Sequence, residues 1–208
     1  MSHYLDKIKR FPVWGKAFNY LIKNNTSSNL PYHNTRHCIN VFDTAINIAD
    51  EYGNISDEKL IELGIACLFH DINHSGGKLT DQKNIQIACT EFIKFYDSLS
   101  NRLKDGIRPN YVCELILYTI FPRVGIPINI AEEIIMDSDL IQCYDTDWVL
   151  FAIKGLADER GVSMSQSLSD QINFINSVEY ITKYAQELHE ERKENYLKEL
   201  EYLKTIFI

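Results

Sequence analysis

Residues 60–77 read L-I-E-L-G-I-A-C-L-F-H-D-I-N-H-S-G-G: an apolar run that ends on three side chains able to ligate a metal, His70, Asp71 and His74. Apolar residues recur at three- and four-residue spacing from 57 onward, so the run reads as a buried helix. Polar groups at the end of such a helix are unfavourable unless each is paired or holds a cation. Upstream, Y-H-N-T-R-H at 32–37 supplies His33 and His37, so two short stretches hold four of the six histidines. On a continuous helix His33 and His37 would share a face. A helix entering near Asn34–Thr35 would instead leave His33 at the mouth, above His37. A lone buried histidine is ordinarily a hydrogen-bonded core residue, and a lone His-Asp pair says little. The two stretches together, separated by an amphipathic helical segment, point to a metal site.

Such a site needs a further carboxylate, and I-M-D-S-D-L-I-Q at 135–142 offers Asp137 and Asp139. Chemistry alone leaves either one as a ligand or as a surface cap. Mixed imidazole and carboxylate donors suit Zn²⁺, Mn²⁺, Fe²⁺ or Co²⁺. A carboxylate that also bridges can recruit a harder Mg²⁺ or Mn²⁺ beside the first ion.

The rest of the chain is helical in pattern. Apolar periodicity runs through 13–23, 35–52, 57–70, 82–96, 110–120, 129–136 and 147–157, and again from about 168 onward. Ser56, Thr80 and Thr146 stand where helix caps belong, and Pro109 and Pro127 where a first turn tolerates proline. The expected fold is all-α, with eight or nine helices. The last stretch, from Ser167, reads as two amphipathic helices broken near His189–Glu191, or as one continuous helix. The stripe Leu188, Tyr196, Leu200, Leu203 and Phe207 is most simply a packing face, with a partner-binding face as the alternative.

With 208 residues, 45% hydrophobic and 24% charged, the chain fits one soluble domain able to bury roughly 70% of its unfolded surface. Its 21 basic residues are outnumbered by 29 acids, for a net charge of −8, and no Lys/Arg cluster appears. Non-specific binding to a nucleic-acid backbone is thereby disfavoured. A small phosphate ester still fits, because a metal supplies positive field locally. Cys38, Cys67, Cys89, Cys113 and Cys143 are scattered, without a C-x-x-C pair, and are expected to be free buried thiols. No apolar signal core opens the sequence and no run of about 18 apolar residues occurs, so a cytoplasmic protein without a membrane partner is expected.

In their order H…HD…D, His37, His70, Asp71 and Asp139 resemble the HD superfamily of metal-dependent phosphohydrolases. Within it the chain is most similar to the catalytic domain of class I 3′,5′-cyclic-nucleotide phosphodiesterases. Their Y-H-N-x-x-H-A resembles Tyr32–Cys38, their H-D-x-x-H-x-G resembles His70–Gly76, and their A-D-L resembles Ser138-Asp139-Leu140. The last match favours Asp139 over Asp137. Their S-Q-x-x-F-I resembles Asp170–Ile175, which implies that Gln171 bonds a nucleobase and Phe174 stacks on it. Glu159-Arg160-Gly161 also resembles an E-R-G stretch of that family. The likeness extends from Tyr32 to Tyr196.

Departures occur as well. The family's long loop and Glu-bearing helix shorten here to GGKLTDQKNIQIA, where Asp81 or Gln82 would have to replace the acid. Its T-D-M reads Thr119-Ile120-Phe121, and its S-N-P reads Ile141-Gln142-Cys143.

The resemblance implies one compact HD-type domain over 1–208, with a metal core at about 32–143 and nucleotide-pocket and C-terminal helices at about 145–208. It implies two divalent ions. One is Zn²⁺ (or Mn²⁺ or Fe²⁺) on His37, His70, Asp71 and Asp139; the other is Mg²⁺ (or Mn²⁺), sharing Asp71. A water activated between them would attack phosphorus, with His33 as general acid and His74 orienting water or phosphate. The expected partner is a small nucleotide. The rival enzyme reading is an HD-type nucleotidase or alarmone hydrolase, which needs extra cations such as Arg36, Lys78 and Lys83. The non-enzymatic rival is a degenerate nucleotide-binding module, which should lack a ligand.

Overall fold

The computed structural model describes residues 3–123, 125–145 and 147–207. Among them there is no strand. In chain order the helices are α1 (His3–Ile8), α2 (Pro12–Asn24), α3 (Thr35–Tyr52), α4 (Asp57–Phe69), α5 (Asp81–Ser98), α6 (Asn101–Lys104), α7 (Pro109–Leu117), α8 (Ile130–Leu140), α9 (Leu156–Arg160), α10 (Met164–Ser177) and α11 (Lys183–Ile206). A 3-10 turn, Ile141–Tyr144, continues α8, and a π-helical segment, Val149–Gly155, runs into α9. The fold is all-α, as the periodicity implies. The count exceeds eight or nine because α1 and α6 are too short to show an apolar period, while the 147–157 period falls on the π-helical segment and the start of α9.

The capping chemistry explains most boundaries. Ser56 accepts the Lys59 N–H and opens α4, while Asn34 accepts from Arg36 and His37 and opens α3. Thr80 stands at the cap of α5 without a side-chain bond, and the Thr146 cap lies outside the described residues. Pro109 is in the first turn of α7 as expected. Pro127 is not in a first turn: Asn129 caps α8 by accepting from Ala131 and Glu132, which leaves Pro127 in the preceding loop.

The break expected at His189–Glu191 is instead at 178–182, and α11 runs unbroken through His189. Thr182 sets that boundary by accepting the Ala185 N–H. Tyr196 and Leu200 of the apolar stripe are buried against α10, and Leu188 and Leu203 pack beside them, whereas Phe207 is 45% exposed. The five cysteines are free. Cys38, Cys67 and Cys143 are buried as expected, but Cys89 and Cys113 are only half-buried. No helix among the described residues is long and apolar enough to cross a membrane.

α4 is the central helix, packed against α2, α3, α5, α7 and α8. Its sequence is apolar nearly all round, which is what a helix enclosed on every side needs. Gly64 lets α2 approach: a Cβ there would lie 2.5 Å from the fully buried Trp14 ring, whose Nε1–H donates to the Ile61 carbonyl at 3.1 Å. The single acid on α4's inner face, Glu62, is held by Arg108 through the guanidinium and by the Arg108 N–H. A buried carboxylate persists only with such complete pairing. The main apolar core draws on residues from Ile8 to Ile135. A second, from Ile141 to Leu200, lies under α10 and α11. The C-terminal ends of α4 and α8, the entry to α3, and α9–α10 all open on one cavity between these cores.

Candidate metal centre

His70 is the C-cap of α4, so the apolar helix delivers it at the point where the chain turns. Its Nδ1 lies 2.8 Å from the Cys67 carbonyl, which can only accept. Nδ1 therefore keeps its proton, which leaves Nε2 as the nitrogen that a metal would take in place of a proton. His37, in the first turn of α3, brings its Nε2 to 3.2 Å from that atom. Its Nδ1 is buried without a hydrogen-bond partner among the described residues, so its polar contacts run through Nε2.

Asp71 Oδ2 lies 3.2 Å from His37 Nε2 and 3.3 Å from His70 Nε2. Asp139 Oδ1, from the end of α8, lies 3.0 and 3.7 Å from the same two nitrogens. Ligand atoms at roughly 2.1 Å from one ion lie about 3.0 Å apart in an octahedron and about 3.4 Å apart in a tetrahedron. His37, His70 and Asp139 thus have the spacing of ligands around a shared divalent cation, with Asp71 beside both imidazoles, and the mixture of imidazole and carboxylate fits a first-row metal.

The electrostatics agree. Burial opposes charge on His37 and His70, yet Asp139 and Asp71 outweigh it and raise both imidazoles. Burial likewise pushes the Asp71 and Asp139 carboxyls up, but the facing histidines pull both below the usual carboxylate range. Two buried carboxylates demand positive charge between them, which either protons or a cation can provide. Burial pushes the thiol of Cys38, next to His37, up to about 12.

The two acids of 135–142 are separated by geometry. Asp137 points the other way: it pairs with Arg123 and accepts from Ile181 N, Thr182 N and Thr182 Oγ1 at 2.9, 2.6 and 2.8 Å. It fastens α8 to the start of α11, while Asp139 faces the histidines.

His33 stands outside α3, at its mouth. Its Nδ1 lies 2.5 Å from Glu159 Oε2, and Glu159 Oε1 accepts from the Tyr32 and His33 N–H groups at 2.6 and 2.9 Å. Burial pushes the Glu159 carboxyl up, but the His33 bond and charge and the two N–H groups outweigh it and hold the carboxyl below its ordinary value. The His74 ring stacks on His33 with centroids 3.8 Å apart. Burial pulls His74 below the ordinary histidine value, so it stays neutral at neutral pH.

The loop carrying these groups is braced from outside. Asn73 takes a left-handed backbone (φ 60°) and accepts from Thr26 N and Oγ1 at 2.6 and 2.8 Å. Gly77 lets the same loop approach α9, since a Cβ there would lie 3.1 Å from the Glu159 carbonyl oxygen.

Two residues of the site escape the sequence reading. Glu159 was visible only as part of E-R-G, and its role required the fold to bring α9 against residue 33. The other is Asn84, whose Nδ2 lies 2.8 Å from His74 Nε2 and whose Oδ1 accepts the Ser75 N–H. Asp81 lines the cavity, and Gln82 is exposed. Gln171 and Phe174 both line the cavity too. The Gln171 amide contacts Tyr196 Oη at 3.4 Å, and Phe174 meets Phe121 edge-on at 5.4 Å between centroids.

A search of curated proteins finds no match to this sequence. The HD-domain family model matches residues 35–142, from the first residue of α3 to the 3-10 turn after α8. That span is just over half of the chain and contains His37, His70, Asp71 and Asp139. The chain belongs to the HD-domain family, whose members are metal-dependent phosphohydrolases.

Proposed function

We propose that the protein hydrolyses a 3′,5′-cyclic nucleotide to its 5′-monophosphate. The observation that carries this reading is a single cavity of about 370 Å³. It has Asp71, Asp139, His33 and His74 at one end and Gln171 and Phe174 along its wall. Among the described residues its only lysine or arginine is Arg160. Arg36 is drawn off to Asp147 at 2.9 Å, and neither Lys78 nor Lys83 lines the cavity. A substrate with one phosphate, met by ions and one cation, fits such a site better than a pyrophosphorylated one. The similarity of Tyr32–Cys38, His70–Gly76 and Asp170–Ile175 to class I phosphodiesterase motifs supports the same reading.

In this reading the chain works as one domain, with a metal core at about 32–143 and a nucleotide side at about 145–208. His37, His70, Asp71 and Asp139 would hold Zn²⁺ (or Mn²⁺ or Fe²⁺), and Asp71 would also serve a second ion, Mg²⁺ or Mn²⁺. Bound there, such ions acidify water and neutralise phosphoryl charge. His33 donates a proton to the departing 3′ oxygen. Glu159 engages its Nδ1, leaving Nε2 as the nitrogen available for transfer. His74, whose Nδ1 accepts the Gly76 N–H and whose Nε2 faces the Asn84 amide, orients the attacking water or the phosphate by exchanging the Asn84 contact for it. Phe174 stacks on the base and Gln171 bonds its edge.

The test is product analysis on protein reconstituted with Zn²⁺/Mg²⁺ or with Mn²⁺, offered cyclic nucleotides, nucleoside monophosphates and pyrophosphorylated nucleotides. A 5′-monophosphate from a cyclic nucleotide supports the reading. Release of inorganic phosphate or pyrophosphate alone selects the nucleotidase or alarmone alternative, and metal binding without turnover selects an inactive module.

A further inference from the structure

We propose that Asp170 makes the nucleotide pocket selective for guanine, so that a guanosine 3′,5′-cyclic monophosphate is the preferred cyclic substrate. The inference rests on the cyclic-nucleotide reading above and names the base that reading leaves open.

Asp170, Gln171 and Phe174 lie on consecutive turns of α10, and all three line the cavity. Asp170 and Phe174 are four residues apart and therefore share a helix face. A purine stacked on the Phe174 ring thus lies beside the Asp170 carboxylate. Gln166 Nε2 donates to Asp170 Oδ1 at 2.7 Å, which fixes the carboxylate on its own helix. Oδ2 has no protein partner among the described residues and Oδ1 keeps a second lone pair, so both oxygens of this half-buried carboxylate can accept from a ligand. In the S-Q-x-x-F-I pattern this position is serine, which can donate as well as accept. Aspartate at neutral pH only accepts.

That difference discriminates between purines. Guanine presents two adjacent donors on its Watson–Crick edge, N1–H and the N2 amino group, matching the two oxygens of a carboxylate. Adenine presents one donor, N6, beside the N1 lone pair, which a carboxylate repels. The Gln171 amide carries both a donor and an acceptor and can serve either base, so it leaves the choice to Asp170. A bidentate charged contact of this kind discriminates between bases by roughly 10- to 100-fold.

The experiment measures kcat/KM for cyclic GMP and cyclic AMP with the metal-reconstituted full chain and its Asp170→Asn variant, with bis(p-nitrophenyl) phosphate as a probe lacking a base. The wild type is expected to favour cyclic GMP by about tenfold or more. In Asp170→Asn the guanine efficiency falls through KM while the adenine efficiency rises, because the new amide can donate to adenine N1. Structural damage would lower both together and so cannot mimic that crossing. Comparable turnover of the two nucleotides by the wild type, an adenine preference, or an unchanged ratio in the variant overturns the proposal and leaves the cyclic-nucleotide reading standing. Cleavage of bis(p-nitrophenyl) phosphate without turnover of either cyclic nucleotide overturns both.

Discussion

Asp137 and Asp139 are two residues apart on one helix, and replacing each with alanine should produce opposite failures. Asp137 is fully buried and holds Arg123, two backbone N–H groups and the Thr182 hydroxyl. Asp137→Ala strands a guanidinium that cannot shed its proton, together with the donors that open α11. Removing one partner of a buried ion pair costs about 3–5 kcal/mol. In a chain of this size that lowers Tm by roughly 6–20 °C. Asp139 pairs with His37 at 3.0 Å, but an imidazole losing its carboxylate can become neutral. Asp139→Ala in metal-stripped protein should therefore stay within about 1 kcal/mol of the wild type while losing metal affinity. The assay is thermal and urea unfolding after chelation, paired with metal analysis after reconstitution. An Asp137→Ala protein as stable as the wild type but unable to hold metal would refute the assignment. So would an Asp139→Ala protein that keeps its full metal content.

Other consequences follow from the same geometry. Glu159→Gln removes a charge-assisted bond to His33 worth about 1.5–3 kcal/mol, so kcat should fall roughly 10- to 100-fold with metal content unchanged in elemental analysis. Glu159 also sets an acid limb of stability. Its carboxyl is lowered from 4.5 in the fold, so its contribution is complete above that value and is lost as pH falls through the lower folded value. Urea titrations at successive pH values should show a shallower loss below about pH 4.5 in Glu159→Gln than in the wild type. Gly64→Ala drives a methyl group to 2.5 Å from the Trp14 ring, held between Phe11 and Phe42, and should cost about 2–3 kcal/mol by denaturant unfolding.

The sequence showed the helices that matter most because their burial is one-sided or complete. α3 and α4 carry long apolar periods, and the ligand-type residues interrupt those periods where a core residue would otherwise stand. The sequence leaves His33 either on one face with His37 or at the mouth of α3, and the structure has it at the mouth, with Asn34 as the cap. Asp137 and Asp139 were different. Both are acids at the end of an apolar helix, and only the position of α11 shows which one is used by Thr182. Glu159 and Asn84 depend on contacts across 126 and 10 residues, and no local pattern marks either. The sequence leaves the last stretch as two helices broken near His189–Glu191 or as one, and the structure breaks it at 178–182 instead. The His189–Glu191 segment in fact lies on the half-exposed side of a long helix whose buried side is carried by Ala185, Tyr196 and Leu200.

The central claim is that His37, His70, Asp71 and Asp139 together bind the metal on which phosphoester hydrolysis depends. Elemental analysis of wild-type and Asp71→Ala protein, stripped, reconstituted and assayed side by side for phosphodiester hydrolysis, tests it most directly. The account predicts stoichiometric divalent metal and turnover in the wild type, and loss of both in a folded Asp71→Ala variant. Turnover surviving complete metal removal, or an Asp71→Ala protein with the wild-type metal content and rate, would contradict it.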